Sequence, residues 1–220
     1  MNDAINALLV LILVLNLFAL GTSRIQSVIR IVAVQGALLG LITLLMHSRL
    51  TLPILLSAAA AVLIKGIVIP AIMVRSLRAA QIKREVEPFI GFLPSIILGA
   101  VATAAALLFS RALSAAAPTG LAPSGLAPSL IIPASLATVL VGFIILISRF
   151  KAISQVLGYL VLENGIYIFG MLLIEAIPLV VEMGMLLDLF VGVFVISIIT
   201  NHINQAFSSM DTRRLVSLKE

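Results

Sequence analysis

The stretch GYLVLENGIYIFG, Gly158 to Gly170, is apolar along most of its length, yet it carries Glu163 and Asn164 side by side. A charge near the centre of a bilayer costs about 2.5–3.5 kcal/mol even on insertion scales, so such a group has to face protein or a wet cavity. This stretch therefore predicts a helix that is packed among other helices within a membrane.

The composition is that of a polytopic membrane protein. Of the 220 residues, 62% are hydrophobic and 10% are charged, whereas soluble domains carry roughly a quarter charged residues. All membrane-crossing segments must be helices, because hydrocarbon cannot satisfy an open sheet edge. The predicted fold class is all-α, with about seven transmembrane helices of roughly 20 residues each. The predicted spans are 4–21, 27–46, 51–74, 89–110, 130–148, 153–174 and 180–201.

The positions of Lys and Arg predict the orientation. The first, third and fifth loops together with the C-terminal tail carry 11 basic residues, and the opposite side carries 2. Since cytoplasmic loops are enriched in Lys and Arg, the N-terminus is predicted outside and the C-terminus in the cytoplasm. The opening MNDAINALLV has no basic region and no small-residue cleavage site, so it is predicted to be a first span.

A connector rich in Pro and Gly divides the chain. The sequence TGLAPSGLAPS within 111–129 cannot continue a helix and is predicted to be an external loop. It separates a four-helix membrane segment, 1–110, from a three-helix segment, 130–203, which precedes a cytoplasmic tail, 204–220. The similarity of SRIQSVIRIVAVQG to SRFKAISQVLGYLVLENG is consistent with parallel three-helix repeats.

Several kinds of chemistry have no support in the sequence. Cysteine is absent and the two His are far apart, so no metal centre and no cofactor of its own is predicted. Neither a phosphate-binding loop nor a nucleophile–base motif occurs, so no catalytic residue is assigned and the chain alone is predicted not to be an enzyme. The basic residues are spread over short loops, which indicates membrane topology and not nucleic-acid binding.

Five ionisable side chains lie within the spans or close to their ends. Lys65, Glu163 and Asp188 lie roughly in the middle of a span. Glu175 and Glu182 lie near the outer boundary, where headgroup water can solvate a carboxylate.

The three mid-span charges have two interpretations. In the first, Lys65 pairs with Glu163 or with Asp188 and only locks helices together, although apolar residues would often do this equally well. In the second, the charges form a path for protons or a cation. Burial and a neighbouring cation act in opposite directions on the pKa of a carboxylic acid, so such a group can exchange protons. Asn164, Glu182 and His202 are the predicted supporting polar residues of this path.

Three motifs carry a resemblance to a known family. GYLVLENG, then EMGMLLDLFVGVFVISII and the tail MDTRRLVSLKE, resemble component E of hydrogenase-4, and LIKGIVIPAIM at 63–73 extends the resemblance. The last three spans are similar to the K subunit of respiratory complex I. Asp188 falls where the K subunit has its last-helix glutamate. Glu163 lies about three positions, or close to one helical turn, from the place of the other glutamate near Leu160.

The resemblance implies a non-catalytic subunit in the membrane arm of an energy-converting nickel–iron hydrogenase complex, in a bacterial or archaeal cell membrane. The implied partners are antiporter-like and quinone-arm-like membrane subunits and a soluble nickel–iron hydrogenase and iron–sulfur module. Glu163, Asp188 and Lys65 would contribute to a proton or sodium path. The alternatives are a structural linker that carries no ions, a subunit of a related complex I-like or antiporter complex, and an independent transporter.

Overall fold

A computed structural model of the chain describes residues 2–46, 52–79, 89–116 and 130–172. The regular secondary structure of these residues is entirely helical, which confirms the all-α part of the predicted fold class. The helices are α1 (Asn2–Gly21), α2 (Ile25–Met46), α3 (Leu52–Ala60), a π-helical segment (Ala61–Val68), α4 (Ile69–Ala79), α5 (Phe92–Ala116), α6 (Ile131–Ser148) and α7 (Ala152–Gly170).

Five stretches are long and apolar enough to cross a membrane, namely Asp3–Gly21, Ile25–Met46, Ile54–Arg75, Phe92–Leu113 and Ile131–Ser148. They coincide with the first five predicted spans, and they give the chain the character of a membrane protein. The third stretch joins α3, the π-helical segment and α4 into one rod. α7 corresponds to most of the sixth predicted span but is more polar than the other five. The seventh predicted span lies outside the described residues.

α5 is longer than the sequence predicts. Its helix continues to Ala116, beyond the predicted end at residue 110 and into residues assigned to the external loop. The six added residues, 111–116, are one Arg, one Leu, one Ser and three Ala, which are compatible with a helix, and the first proline of the connector comes only at Pro118.

Two contacts define the ends of the helix bundle. At one end, the Arg149 guanidinium donates a hydrogen bond from Nη2 to the Leu20 carbonyl at 2.8 Å, and it lies 4.5 Å from the centre of the Phe92 ring. A cation at the C-terminus of α1 also interacts favourably with the helix dipole. At the other end, the Leu130 backbone N–H donates to Asn6 Oδ1 at 3.2 Å. We call these the Arg149 end and the Asn6 end.

Two hydrophobic clusters fill the bundle, one toward each end. The Arg149-end cluster includes Leu20, Ile25, Met73, Ile145 and Leu157. The Asn6-end cluster includes Ile5, Leu9, Leu39, Ile131 and Ile168. Between the clusters lies a layer of buried polar side chains, here called the polar layer. Its members are Asn16, Gln35, Lys65, Thr138, Glu163 and Asn164.

Glycines allow the helices to approach one another closely at the depth of the polar layer. A Cβ atom on Gly36 would lie 2.7 Å from the carbonyl carbon and the Cβ of Lys65. Gly36 and Gly40 form a G-x-x-x-G pattern on α2, a spacing that brings helix backbones together in membranes. On the other side of the bundle, a Cβ on Gly165 of α7 would lie 2.6 Å from the backbone nitrogen of Val139 in α6.

We expect Gly36→Ala to destabilise the protein by about 1–3 kcal/mol, the usual effect of overpacking a close contact. The added methyl group meets backbone atoms of the π-helical segment, which cannot turn aside as a flexible side chain can. The matched control is Gly170→Ala, because no atom lies within 4 Å of the added Cβ there. Its effect should stay within about 0.5 kcal/mol. Thermal unfolding of both variants in detergent measures the difference, and equal loss of stability would contradict the close packing of α2 on this segment.

Candidate functional site

The polar layer contains a buried ion pair between two helices. Lys65 Nζ in the π-helical segment lies 3.3 Å from Glu163 Oε1 in α7, and the two side chains are only 4% and 6% exposed. This distance exceeds the roughly 2.8 Å of a short charge-assisted hydrogen bond. The two groups therefore attract each other mainly as charges. Of the two partners predicted for Lys65, the structure brings Glu163 to it, while Asp188 lies outside the described residues.

The backbone around Lys65 is unusual. Residues Ala61–Val68 form a π-helix, a geometry that occurs mostly as short stretches within α-helices and often at functional sites. Pro70 supplies a local reason, because a proline has no N–H and its ring clashes with the carbonyl four residues earlier in a regular α-helix. A wider turn before Pro70 relieves that clash. Lys65 is thus held on a stretch of irregular backbone at the middle of its rod.

An aromatic side chain covers the ion pair. Tyr167 follows Glu163 by four residues, so both lie on the same face of α7. Lys65 Nζ lies 5.0 Å from the centre of the Tyr167 ring, within the range of a cation–π interaction. The Tyr167 hydroxyl lies 3.0 Å from Thr43 Oγ1 in α2. The ion pair is therefore connected through one ring to a pair of hydroxyl groups.

A chain of amide side chains extends from the residue beside Glu163 across four helices. Asn164 Nδ2 donates to Gln35 Oε1 at 3.3 Å, and Gln35 Nε2 donates to Asn16 Oδ1 at 2.8 Å. Asn16 Nδ2 then donates to Thr138 Oγ1 at 2.8 Å. All four side chains are at least 98% buried. We call this set of four residues the amide chain.

The direction of the amide chain is determined at its Thr138 end. The Thr138 hydroxyl donates to the Ala134 carbonyl at 2.7 Å, so its oxygen can only accept from Asn16. Each amide has one acceptor oxygen and one donor nitrogen, and every following hydrogen bond must point the same way. The side-chain dipoles are therefore aligned from Asn164 to Thr138, an arrangement in which neighbouring hydrogen bonds strengthen one another.

Asn16, Gln35 and Thr138 are not among the site residues predicted from the sequence. Neutral polar side chains cost less free energy at membrane depth than charged ones do. Their positions in the sequence therefore indicate a site less clearly. One signal was present nonetheless. Polar residues directly precede glycines in Gln35–Gly36, Lys65–Gly66 and Asn164–Gly165, and the helices come close enough at these positions for the polar groups to meet.

The other predicted site residues are not all within the structure. Asn164 is buried beside Glu163 and begins the amide chain. Asp188, Glu182 and His202 lie outside the described residues, as does Glu175. No group of three or more metal-ligating side chains occurs within the described ranges.

We expect Gln35→Met to lower stability by about 1–3 kcal/mol, because it leaves the Asn16 oxygen and the Asn164 amide nitrogen buried without these hydrogen bonds. Gln26→Met on the same helix is the matched control, since Gln26 is exposed and its replacement should change little. Thermal unfolding in detergent compares the two variants. If both were as stable as the wild type, the amide chain would contribute nothing to holding the helices together.

Comparisons with known proteins connect the chain to a relative. No protein-family profile matches it, and no solved structure matches it. A curated relative, the uncharacterized protein Rv0085 of Mycobacterium tuberculosis (strain ATCC 25618 / H37Rv), is 30% identical over 198 residues, which cover 89% of this chain and 87% of the relative. A match of that length includes parts of both membrane segments. The chain therefore belongs to the same protein family as Rv0085.

Proposed function

We propose that this chain is a non-catalytic membrane-arm subunit of a complex I-like energy-converting hydrogenase complex, and that its buried ion pair forms part of a proton or sodium path. The observation that best supports an ion path is the Lys65–Glu163 pair, 4% and 6% exposed and situated between two apolar clusters. The resemblance to component E of hydrogenase-4 supports the choice of complex. Redox chemistry would take place in a soluble nickel–iron hydrogenase and iron–sulfur module, beside antiporter-like and quinone-arm-like membrane subunits.

The proposed topology has seven spans, with the N-terminus outside and the C-terminus in the cytoplasm of a bacterial or archaeal cell. The distribution of charge in the bundle supports this orientation. Of the eight basic side chains of the described residues, six lie toward the Arg149 end, namely Arg24, Arg30, Arg75, Arg78, Arg149 and Lys151, whereas Arg111 lies toward the Asn6 end and Lys65 lies in the polar layer. Because Lys and Arg are enriched on the cytoplasmic side, the Arg149 end would face the cytoplasm and the Asn6 end the outside.

The ion pair suggests how protonation could be coupled to movement. A proton that reaches Glu163 neutralises the carboxylate and removes the attraction that holds the Lys65 ammonium. The flexible Lys65 side chain is then available to a second acid, for which we propose Asp188. Loss of the proton from Glu163 restores the pair. In this scheme the protein makes no covalent bond and works through position and charge.

Affinity purification of the tagged chain in mild detergent tests the assignment to a complex. We expect a nickel–iron hydrogenase large subunit and antiporter-like membrane subunits to copurify. Purification of the chain alone, as a stable oligomer that transports a solute, would contradict the proposal and favour an independent transporter.

Glu163→Gln and Asp188→Asn should leave the complex assembled but slow ion translocation by about tenfold or more, the scale on which a positioned proton-transfer group contributes. The matched control is Asp3→Asn, because Asp3 is exposed near the start of α1. The assay follows proton uptake in everted membrane vesicles while an added low-potential electron donor drives hydrogen evolution. Normal uptake by both variants would remove the ion-path proposal.

A second candidate function is that of a structural linker. The contact between Lys65 and Glu163 favours it, because this ion pair joins the α3–α4 rod to α7. Breaking a buried pair at one partner typically costs about 3–5 kcal/mol. On this view Lys65→Met should abolish assembly, and the double variant Lys65→Met, Glu163→Gln should restore both assembly and full activity. Native gel electrophoresis of the solubilised complex measures the assembly.

A further inference from the structure

We propose that the hydroxyl groups of Tyr167 and Thr43 form the leg of the proton path between Glu163 and the Asn6 end of the bundle. This inference rests on the proposed function, since it names the route by which a proton would leave or reach the ion pair. It also selects protons over sodium as the ions that move along this leg.

The contacts lead from the ion pair, by way of the Tyr167 ring, to two hydroxyl groups. Lys65 Nζ lies 3.3 Å from Glu163 and 5.0 Å from the centre of the Tyr167 ring. The Tyr167 hydroxyl then lies 3.0 Å from Thr43 Oγ1, and the Thr43 hydroxyl donates to the Leu39 carbonyl at 2.9 Å. Thr43 is 1% exposed. A buried threonine bonded to a tyrosine on another helix thus continues the polar contacts beyond the ion pair.

The position of the two hydroxyls gives the leg its direction. Thr43 lies in the last turn of α2, which ends at Met46, and Tyr167 lies in the last turn of α7, which ends at Gly170. Both helices end at the Asn6 end. The surrounding side chains belong to the Asn6-end cluster, against which Tyr167 packs. The two hydroxyls are therefore a polar interruption of an otherwise apolar cluster.

The amide chain is the competing route, and its chemistry excludes it. A hydroxyl both donates and accepts a hydrogen bond, so it can take up one proton while it gives away another. A side-chain amide donates from nitrogen and accepts at oxygen, so passing a proton would leave it in a high-energy tautomer. The amide chain also runs across the bundle at one depth and does not lead to either end.

The proposed step conserves every atom. Glu163 releases a proton to a water molecule, which passes one of its hydrogens to the Tyr167 oxygen, while the hydrogen of Tyr167 passes to the Thr43 oxygen 3.0 Å away. The Thr43 hydrogen turns away from the Leu39 carbonyl and passes to water at the Asn6 end. The Tyr167 and Thr43 oxygens each finish with as many hydrogens as they had at the start, Glu163 finishes as a carboxylate, and no oxidant or reductant takes part.

Four substitutions test the leg in the assembled complex. Tyr167→Phe removes the hydroxyl but keeps the ring over Lys65. Thr43→Val removes the second hydroxyl at nearly constant shape, whereas Thr43→Ser keeps it. Tyr159→Phe is the matched control, because Tyr159 lies on the same helix but packs against the Arg149-end cluster. The measurement is proton uptake in everted vesicles during hydrogen evolution from an added low-potential electron donor, normalised to the amount of assembled complex.

Tyr167→Phe and Thr43→Val should each slow proton uptake by about tenfold, while Thr43→Ser and Tyr159→Phe should stay within about twofold of the wild type. If the Tyr167→Phe variant takes up protons at the normal rate while the separate Glu163→Gln variant is slow, the hydroxyl leg is overturned and the proposed function stands. Normal uptake by Glu163→Gln overturns the proposed function itself. Should Tyr167→Phe fail to assemble, equal rates for Thr43→Val and Thr43→Ser overturn the leg. Ion movement that requires sodium and takes up no protons overturns it as well.

Discussion

A charge within an apolar bundle has to be compensated by another charge, and the attraction between Lys65 and Glu163 meets that requirement here. The two groups lie on different helices, so the helices must come close before the charges can meet. Gly36 lets α2 touch the backbone of the π-helical segment at Lys65. The irregular backbone of that segment, which precedes Pro70, presents the lysine toward α7. Close packing and charge pairing therefore depend on each other.

The polar layer extends the same principle to neutral groups. Asn16, Gln35, Thr138 and Asn164 satisfy one another in a single direction, which leaves the two hydrophobic clusters on either side free of these polar groups. Such a network holds four helices in one register, because a shift of one helix would break a buried hydrogen bond. A fixed register in turn keeps the Glu163 carboxylate within 3.3 Å of the Lys65 ammonium. The structural role of the amide chain and the proposed ion path are thus parts of one arrangement.

Composition was enough to predict the helical architecture and the first five spans, because an apolar segment that crosses a bilayer as a helix satisfies its own backbone hydrogen bonds. Lys65 and Glu163 could be selected because a charge at mid-span is costly and needs a reason. The contact between them could not be derived, because apolar helices give little information about which neighbours they choose. Asn16 and Gln35 were not predicted as site residues, because an amide side chain carries no charge. The π-helical segment was also missed, although Pro70 after KGIVI was visible in the sequence.

Ion translocation by the double variant Lys65→Met, Glu163→Gln tests the central claim most directly. Removing both charges leaves no unpaired ion in the bundle, so the complex should assemble whether the pair conducts or only supports. The ion-path account predicts an assembled complex with proton uptake reduced about tenfold or more. Assembly together with uptake at the wild-type rate would contradict it, and the pair would then be a lock between helices.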